Sequence, residues 1–209
     1  MSGGERGRDG HEPAGRPASP EDPERPESAE SAESAQDEAA SRRRRVFFAL
    51  WPDESTRGAI SRASRKAVRL SGGRPTAKRN LHITVAFLGH VDPDALERAA
   101  SVPPVETGPF ELVLDRLGYF REARALWLGP SEMPPALAAL EQSLWDGLEQ
   151  AGFEREPRIY RPHLTLARRA RGVDETVPPV HWNASALTLV ESIALPRGVH
   201  YEPLQDWPL

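Results

Sequence analysis

The chain has 209 residues, 38% of them hydrophobic and 28% charged, with a formal net charge of −4 and no cysteine. That length suits one globular domain or two small, closely packed lobes. The absence of cysteine excludes a disulfide framework, an iron–sulfur cluster, a thiolate nucleophile and a Cys-ligated zinc. No stretch approaches 18 consecutive apolar residues, and the first residues hold no apolar core of a signal peptide. The expectation is a soluble, cytoplasmic protein with no membrane partner, monomeric by default.

The net charge conceals two unlike segments. Residues 1–41 contain no Val, Ile, Leu, Phe, Trp or Tyr and carry 11 acidic residues against four arginines, a net −7. Such a segment cannot offset its chain entropy by burying apolar surface, so residues 1–41 read as a disordered acidic tail. Residues 42–209 then carry a net +3, and among their cations only Lys66 and Lys78 are lysines. Arginine's planar fork suits phosphate, although an Arg-rich composition alone accounts for its use equally well. The run Arg42–Arg45 at the junction either meets an anion or is a solvated guard before a hydrophobic strand.

In chain order, Val46–Trp51 is a continuous apolar run that reads as a buried strand. A helix follows from Asp53, with Ile60, Ala63, Ala67 and Leu70 on one face and Gly72-Gly73 as its stop. Leu81–Gly89 reads as a second strand, and Asp92-Pro93 opens a short helix running to Ala100. Phe110, Leu112 and Leu114 alternate as in a strand. The plan then repeats: a strand at Arg124–Gly129, a helix at Pro134–Ala151 with Leu137, Leu140, Leu144 and Leu148 on one stripe, and a strand at Pro162–Arg168. Ala186–Leu195 adds another strand before the chain closes through Tyr201 and Trp207. The fold class is α+β, with two similar, pseudo-symmetric sheet lobes, helices on their outer faces and a central cleft.

Both halves carry His-x-Thr on a strand, His82-Ile83-Thr84 and His163-Leu164-Thr165, 81 positions apart. Alternation puts His82, Thr84 and Ala86 on one face and Ile83, Val85 and Phe87 on the other, and likewise His163, Thr165 and Ala167 opposite Leu164 and Leu166. Two imidazoles and two hydroxyls make a phosphate-handling set: a neutral His takes a proton from water, a protonated one gives a proton to a leaving oxygen, and Thr hydroxyls donate to phosphate oxygens. A single such motif is weak; the matched pair in repeated settings is not. His11, His90, His181 and His200 lie in ordinary tail, turn, loop and terminal-strand settings. Neither a His-Glu-x-x-His motif nor an Asp beside either His-x-Thr is present, so neither metal nor cofactor is expected.

The stretches Arg45–Leu50, Asn80–Thr84 with Phe87-Leu88-Gly89, Pro162–Arg168 and Tyr201–Leu204 before Trp207-Pro208-Leu209 sharpen the picture. The chain from about Arg44 to Leu209 resembles the two-histidine phosphoesterases, in particular the bacterial and archaeal RNA 2′,3′-cyclic phosphodiesterases historically called 2′-5′ RNA ligases. The resemblance implies a bilobal domain over residues 42–209. It implies metal-free hydrolysis of RNA 2′,3′-cyclic phosphate ends to 2′-phosphomonoesters, with ligation in reverse where cyclic and 5′-hydroxyl ends meet. It makes His82 the proton donor and His163 the proton acceptor, roles that near-symmetric motifs cannot assign by themselves. Thr84 and Thr165 would hold phosphate oxygens; Arg168 would add a cation beside them or stand as one solvated arginine among Arg168, Arg169 and Arg171; and Phe48 would stack on the terminal base, unless Phe47 and Phe48 simply divide between the two faces of the sheet. Two other readings stand beside this one: a phosphodiesterase for a small cyclic nucleotide, and a non-catalytic module that binds RNA ends.

Overall fold

The computed structural model describes residues 43–102, 107–196 and 198–209. The acidic tail, and with it the reading of residues 1–41 as disordered, lies outside the described residues. Among those described are ten strands and three α-helices, in a mixed fold dominated by antiparallel pairing. No described helix is long and apolar enough to cross a membrane.

The apolar run near the start forms β1 (Arg44–Leu50), every residue from Val46 to Leu50 being buried. It can be buried on both faces because it is an interior strand, paired with β3 (Ile83–Val91) on one side and β9 (Ala186–Leu195) on the other. With β5 (Arg116–Phe120), β6 (Ala125–Gly129), β7 (Leu164–Arg168) and β10 (Gly198–Pro208), these strands form one sheet in the order β10-β9-β1-β3-β7-β6-β5. The two-residue strand β2 (Arg74–Pro75) adds to β7, while β4 (Phe110–Leu114) and β8 (Val180–Ala184) pair separately. The strands of the two halves thus share one continuous sheet, joined where Ile83 pairs with Leu164.

Helix α1 (Glu54–Ser71) starts where Asp53 accepts the Thr56 N–H (2.7 Å) and stops at Gly72, whose φ of 63° suits a residue without Cβ. Its buried stripe is Thr56, Ile60, Ser64, Ala67 and Ser71 rather than the expected stripe through Ala63 and Leu70; Leu70 is 38% exposed. Small side chains there let the helix lie close to the sheet, and Ser64 and Ser71 return their hydroxyls to helix carbonyls at 2.8 and 2.7 Å. Helix α2 (Pro93–Ala100) has the expected cap, Asp92 accepting the Ala95 N–H at 2.7 Å. Helix α3 (Pro135–Gln150) buries the expected leucine stripe together with Glu141 and Trp145. The helices cross between halves: α1 packs on β6 and β7, whereas α3 packs on β3.

The central strands depart from strict alternation at matching places. Against β1, Thr84 pairs with Ala49 but Ala86 pairs with Phe48, so Val85 is an extra residue; against β6, Thr165 pairs with Trp127 but Ala167 with Leu126, so Leu166 is extra. Both residues of each bulge, Val85-Ala86 and Leu166-Ala167, are buried in the main core. Ala86 and Ala167 therefore do not share a face with the preceding threonine. The residue after each bulge is turned over: Phe87, expected in the core, is 41% exposed beneath the Arg45 guanidinium, 4.8 Å from its ring centre.

Close packing at the far side is set by Gly118, where a Cβ would lie 2.0 Å from Cζ2 of Trp127. The indole lies across the space a side chain would fill. Gly118→Ala is expected to destabilise the fold by about 1–3 kcal/mol, read as a fall of several degrees in Tm by thermal denaturation.

Candidate active site

A pocket of about 480 Å³ opens beside the β3–β7 join, and His82, Thr84, His163, Thr165 and Arg168 all line it. His82 immediately precedes β3 and His163 immediately precedes β7. Ala49 belongs to a small cluster with Phe47 and Val190, on the opposite face of β1 from the main core, and Thr84 pairs with Ala49 on that face.

The two imidazoles are held alike. The Nδ1–H of His82 donates to the Asn80 carbonyl (2.8 Å), and the Nδ1–H of His163 donates to the Arg161 carbonyl (2.8 Å). A carbonyl can only accept, so each neutral ring carries its proton on Nδ1 and keeps Nε2 as a free lone pair. Asn80, at the end of a 3₁₀ turn (Lys78–Asn80), is itself anchored by its side-chain amide to the Val199 carbonyl (3.1 Å).

Their surroundings differ. Trp51 stacks on His82 (4.9 Å between ring centres, 14° between planes), Phe47 lies at 5.0 Å, and Tyr201 meets the ring edge-on at 5.0 Å. The Trp51 indole is fixed by donating to the Arg79 carbonyl at 3.2 Å. His163 meets Phe120 edge-on at 4.8 Å and Trp127 at 6.3 Å. Burial among these rings pushes His82 down to about 4; the Asn80 carbonyl opposes this, and the nearby charges of His163 and Arg168 add to it. His163 is also lowered, by burial first and by Arg168, against the pull of the Arg161 carbonyl.

Arg168 reaches the pocket because of the bulge. Counting by twos from His163 would place it on the core face; the extra residue at Leu166 turns it to the histidine side. Arg74, its ladder partner on β2, and Arg79 also line the pocket, and among the described residues no carboxylate does. Phe48 requires a correction: it is fully buried in the main core against Trp207 (5.7 Å between ring centres) and has no surface to offer a base. Phe47 takes the site face, but beneath His82 rather than open to the pocket.

Arg74, Arg79, Asn80, Trp51 and Tyr201 were not among the sequence candidates. A two-residue strand and a 3₁₀ turn carry no periodicity, although Asn80 and Tyr201 stand in the stretches that carry the resemblance. Of the remaining histidines, His181 pairs with Glu111 and His200 with Glu202, each at 2.9 Å, and neither they nor His90 line the pocket. At the junction, Arg44 pairs with Glu191 and Arg45 donates to the Ser192 hydroxyl (3.1 Å), so both have structural partners.

Two locked imidazoles, three threonines (Thr76, Thr84 and Thr165) and three guanidiniums around a pocket that no carboxylate lines among the described residues make a site suited to a phosphate ester. The comparisons agree with that class. The model of the 2′-5′ RNA ligase superfamily matches residues 52–195, and the chain belongs to that family. It is 33% identical over 171 residues to an RNA 2′,3′-cyclic phosphodiesterase of Escherichia coli, covering 79% of this chain and 96% of the relative. It is 31% identical over 181 residues to one of Thermus thermophilus, covering 79% and 90%. Among solved structures, E. coli LigT complexed with 3′-AMP superposes with a TM-score of 0.72 at 30% identity, covering 80% of this chain and 98% of that one.

Both imidazoles lie below the ordinary 6.5, so folding disfavours their protonation. The stability this represents is intact above pH 6.5 and lost as pH falls from 6.5 towards about 4, the value for His82. His82→Asn should remove on the order of 3 kcal/mol of that acid sensitivity, measured as a smaller drop in Tm between pH 7.5 and pH 4.5 than in the parent chain.

Proposed function

We propose that residues 42–209 form a bilobal RNA 2′,3′-cyclic phosphodiesterase that leaves a 2′-phosphomonoester, with His82 as proton donor and His163 as proton acceptor. The two-lobe reading rests on the strand order, in which β1-β3 and β7-β6 mirror one another about the Ile83–Leu164 join. The catalytic reading rests on one observation above all: both histidines of the repeat line one pocket, each with Nδ1 occupied and Nε2 left to exchange a proton.

In the proposed step, His163 Nε2 takes a proton from water as the water oxygen bonds to phosphorus. The bond from phosphorus to O3′ breaks, and O3′ takes the proton carried by His82 Nε2. Thr84 and Thr165 donate to non-bridging oxygens, while Arg168 offsets the charge that develops on them. Arg74 and Arg79 add to the cationic lining, so charge balance needs no metal ion. The same step with a 5′-hydroxyl in place of water opens the cyclic phosphate to a 2′-5′ phosphodiester and so joins two RNA ends.

The low proton affinity of His82 in the free protein is compatible with a donor role. A phosphodiester anion brought beside the ring raises its affinity and replaces lost hydration, so the donor is charged most readily when substrate is present. The pocket's volume of about 480 Å³ is in the range of single small-ligand sites. This favours recognition of one terminal nucleotide and makes a cyclic mononucleotide a second candidate substrate. Comparing its turnover with that of a cyclic-phosphate-ended oligonucleotide separates the two.

The direct test is incubation with a 2′,3′-cyclic-phosphate RNA, with and without chelator. A product retaining phosphate on the 2′ oxygen, formed at the same rate in both arms, is expected; a 3′-phosphate or loss of activity with chelator would overturn the reading. His82→Ala and His163→Ala should each lower turnover by about 10²–10⁴-fold. The profile of kcat/KM against pH should be a bell, since one ring must be charged and the other neutral. With both free-protein values lowered, its maximum should fall on the acid side of 6.5.

A further inference from the structure

We infer that Tyr160 is a positioning residue that sets the spacing between the two His–Thr pairs; the inference rests on His82 and His163 acting together as proposed above. The two halves of the sheet meet at a narrow seam, where β3 and β7 pair only through Ile83 and Leu164. In sequence the histidines lie immediately before this pair and the threonines immediately after it, so the spacing of the two His–Thr pairs is set at this seam.

Besides the two-residue pairing of β2 with β7, Tyr160 supplies a side-chain tie across the seam. Its hydroxyl donates to the Thr84 carbonyl at 3.1 Å, joining the segment that leads into the second motif to the backbone of the first. The next residue, Arg161, offers the carbonyl that holds His163 Nδ1. One side chain thus anchors to the backbone of one active-site threonine, while the adjoining peptide orients the opposite histidine. The ring packs against the main core, and nearby Glu141 on α3 is held by both oxygens to Arg155 at 2.6 and 2.8 Å. Burial and the Glu141 charge push the phenol well above its ordinary value, so it stays an O–H donor.

A seam that opened by a fraction of an ångström would separate acid from base without abolishing the pocket, so turnover should respond more than binding. Tyr160→Phe keeps the ring and removes only the hydroxyl. Expected is a fall in kcat of about tenfold with KM changed by less than about twofold and Tm lowered by no more than a few degrees. The imidazole C–H resonances of His82 and His163, followed by NMR through a pH titration, should both shift relative to the parent chain. An active parent chain with Tyr160→Phe unchanged in kcat, or changed only in KM, would overturn the positioning role. A Tm collapse of more than about 10 °C would overturn it too, by making the hydroxyl a determinant of the fold. Inactivity of the parent chain on the cyclic phosphate would instead overturn the functional reading, and the NMR titration would still report on the tie.

Discussion

Each of the two central strands carries, just after its threonine, one residue more than its partner can match, and the pocket is arranged around that misfit. At Val85-Ala86 and again at Leu166-Ala167, two successive side chains turn into the core opposite a single neighbour. A bulge costs a ladder hydrogen bond and bends the strand. Here it separates two demands that a regular strand could not meet together. The segment before the bulge presents His and Thr to one face; the segment after it resumes with reversed parity, so that Arg168 joins the same face. The small alanine at the second bulge position is what lets two side chains enter a core already filled by leucines.

This arrangement defines what was legible in the sequence. The strand–helix–strand repeat, the helix start at Asp53, the cap at Asp92 and the leucine stripe of α3 follow from local patterns, and the structure has them. The two His-x-Thr segments share a pocket, as their repeated setting implies. What period-two reading mistakes lies at and beyond the bulges: it puts Phe87 and Arg168 on the core face, because alternation counts residues and a bulge alters the count. Phe47 and Phe48 are adjacent and chemically equal, so nothing local decides which turns to the core; the decision lies with β3 and β9, which flank β1. Arg74 and Arg79 sit on elements too short to have a period, and their place in the site follows only from the pairing of β2 with β7.

The charge of the chain acquires a local meaning in the same way. A net charge of −4 over 209 residues says little about a pocket in which Arg74, Arg79 and Arg168 converge and, among the described residues, no carboxylate intrudes. Some arginines elsewhere are paired: Arg44 with Glu191, Arg57 with Glu54 and Arg155 with Glu141. Electrostatic attraction for a polyanion depends on the cations that face it within about 8–10 Å, the screening length at physiological salt, and those are the pocket arginines.

A repeated motif poses a chemical problem, since two equivalent imidazoles cannot hold opposite protonation states without something to tell them apart. Both rings are locked in one tautomer by the same kind of contact, a carbonyl two residues back. The difference lies in the rings around them: three aromatic side chains enclose His82, while two meet His163, both off-parallel. Enclosure makes His82 the harder ring to charge in the free protein. It also makes that ring the more sensitive to any anion beside it, because little water remains to screen the interaction. On the proposed assignment, substrate therefore helps to bring the donor its proton, and the aromatic box that suppresses His82 in the free protein couples its protonation to an occupied site.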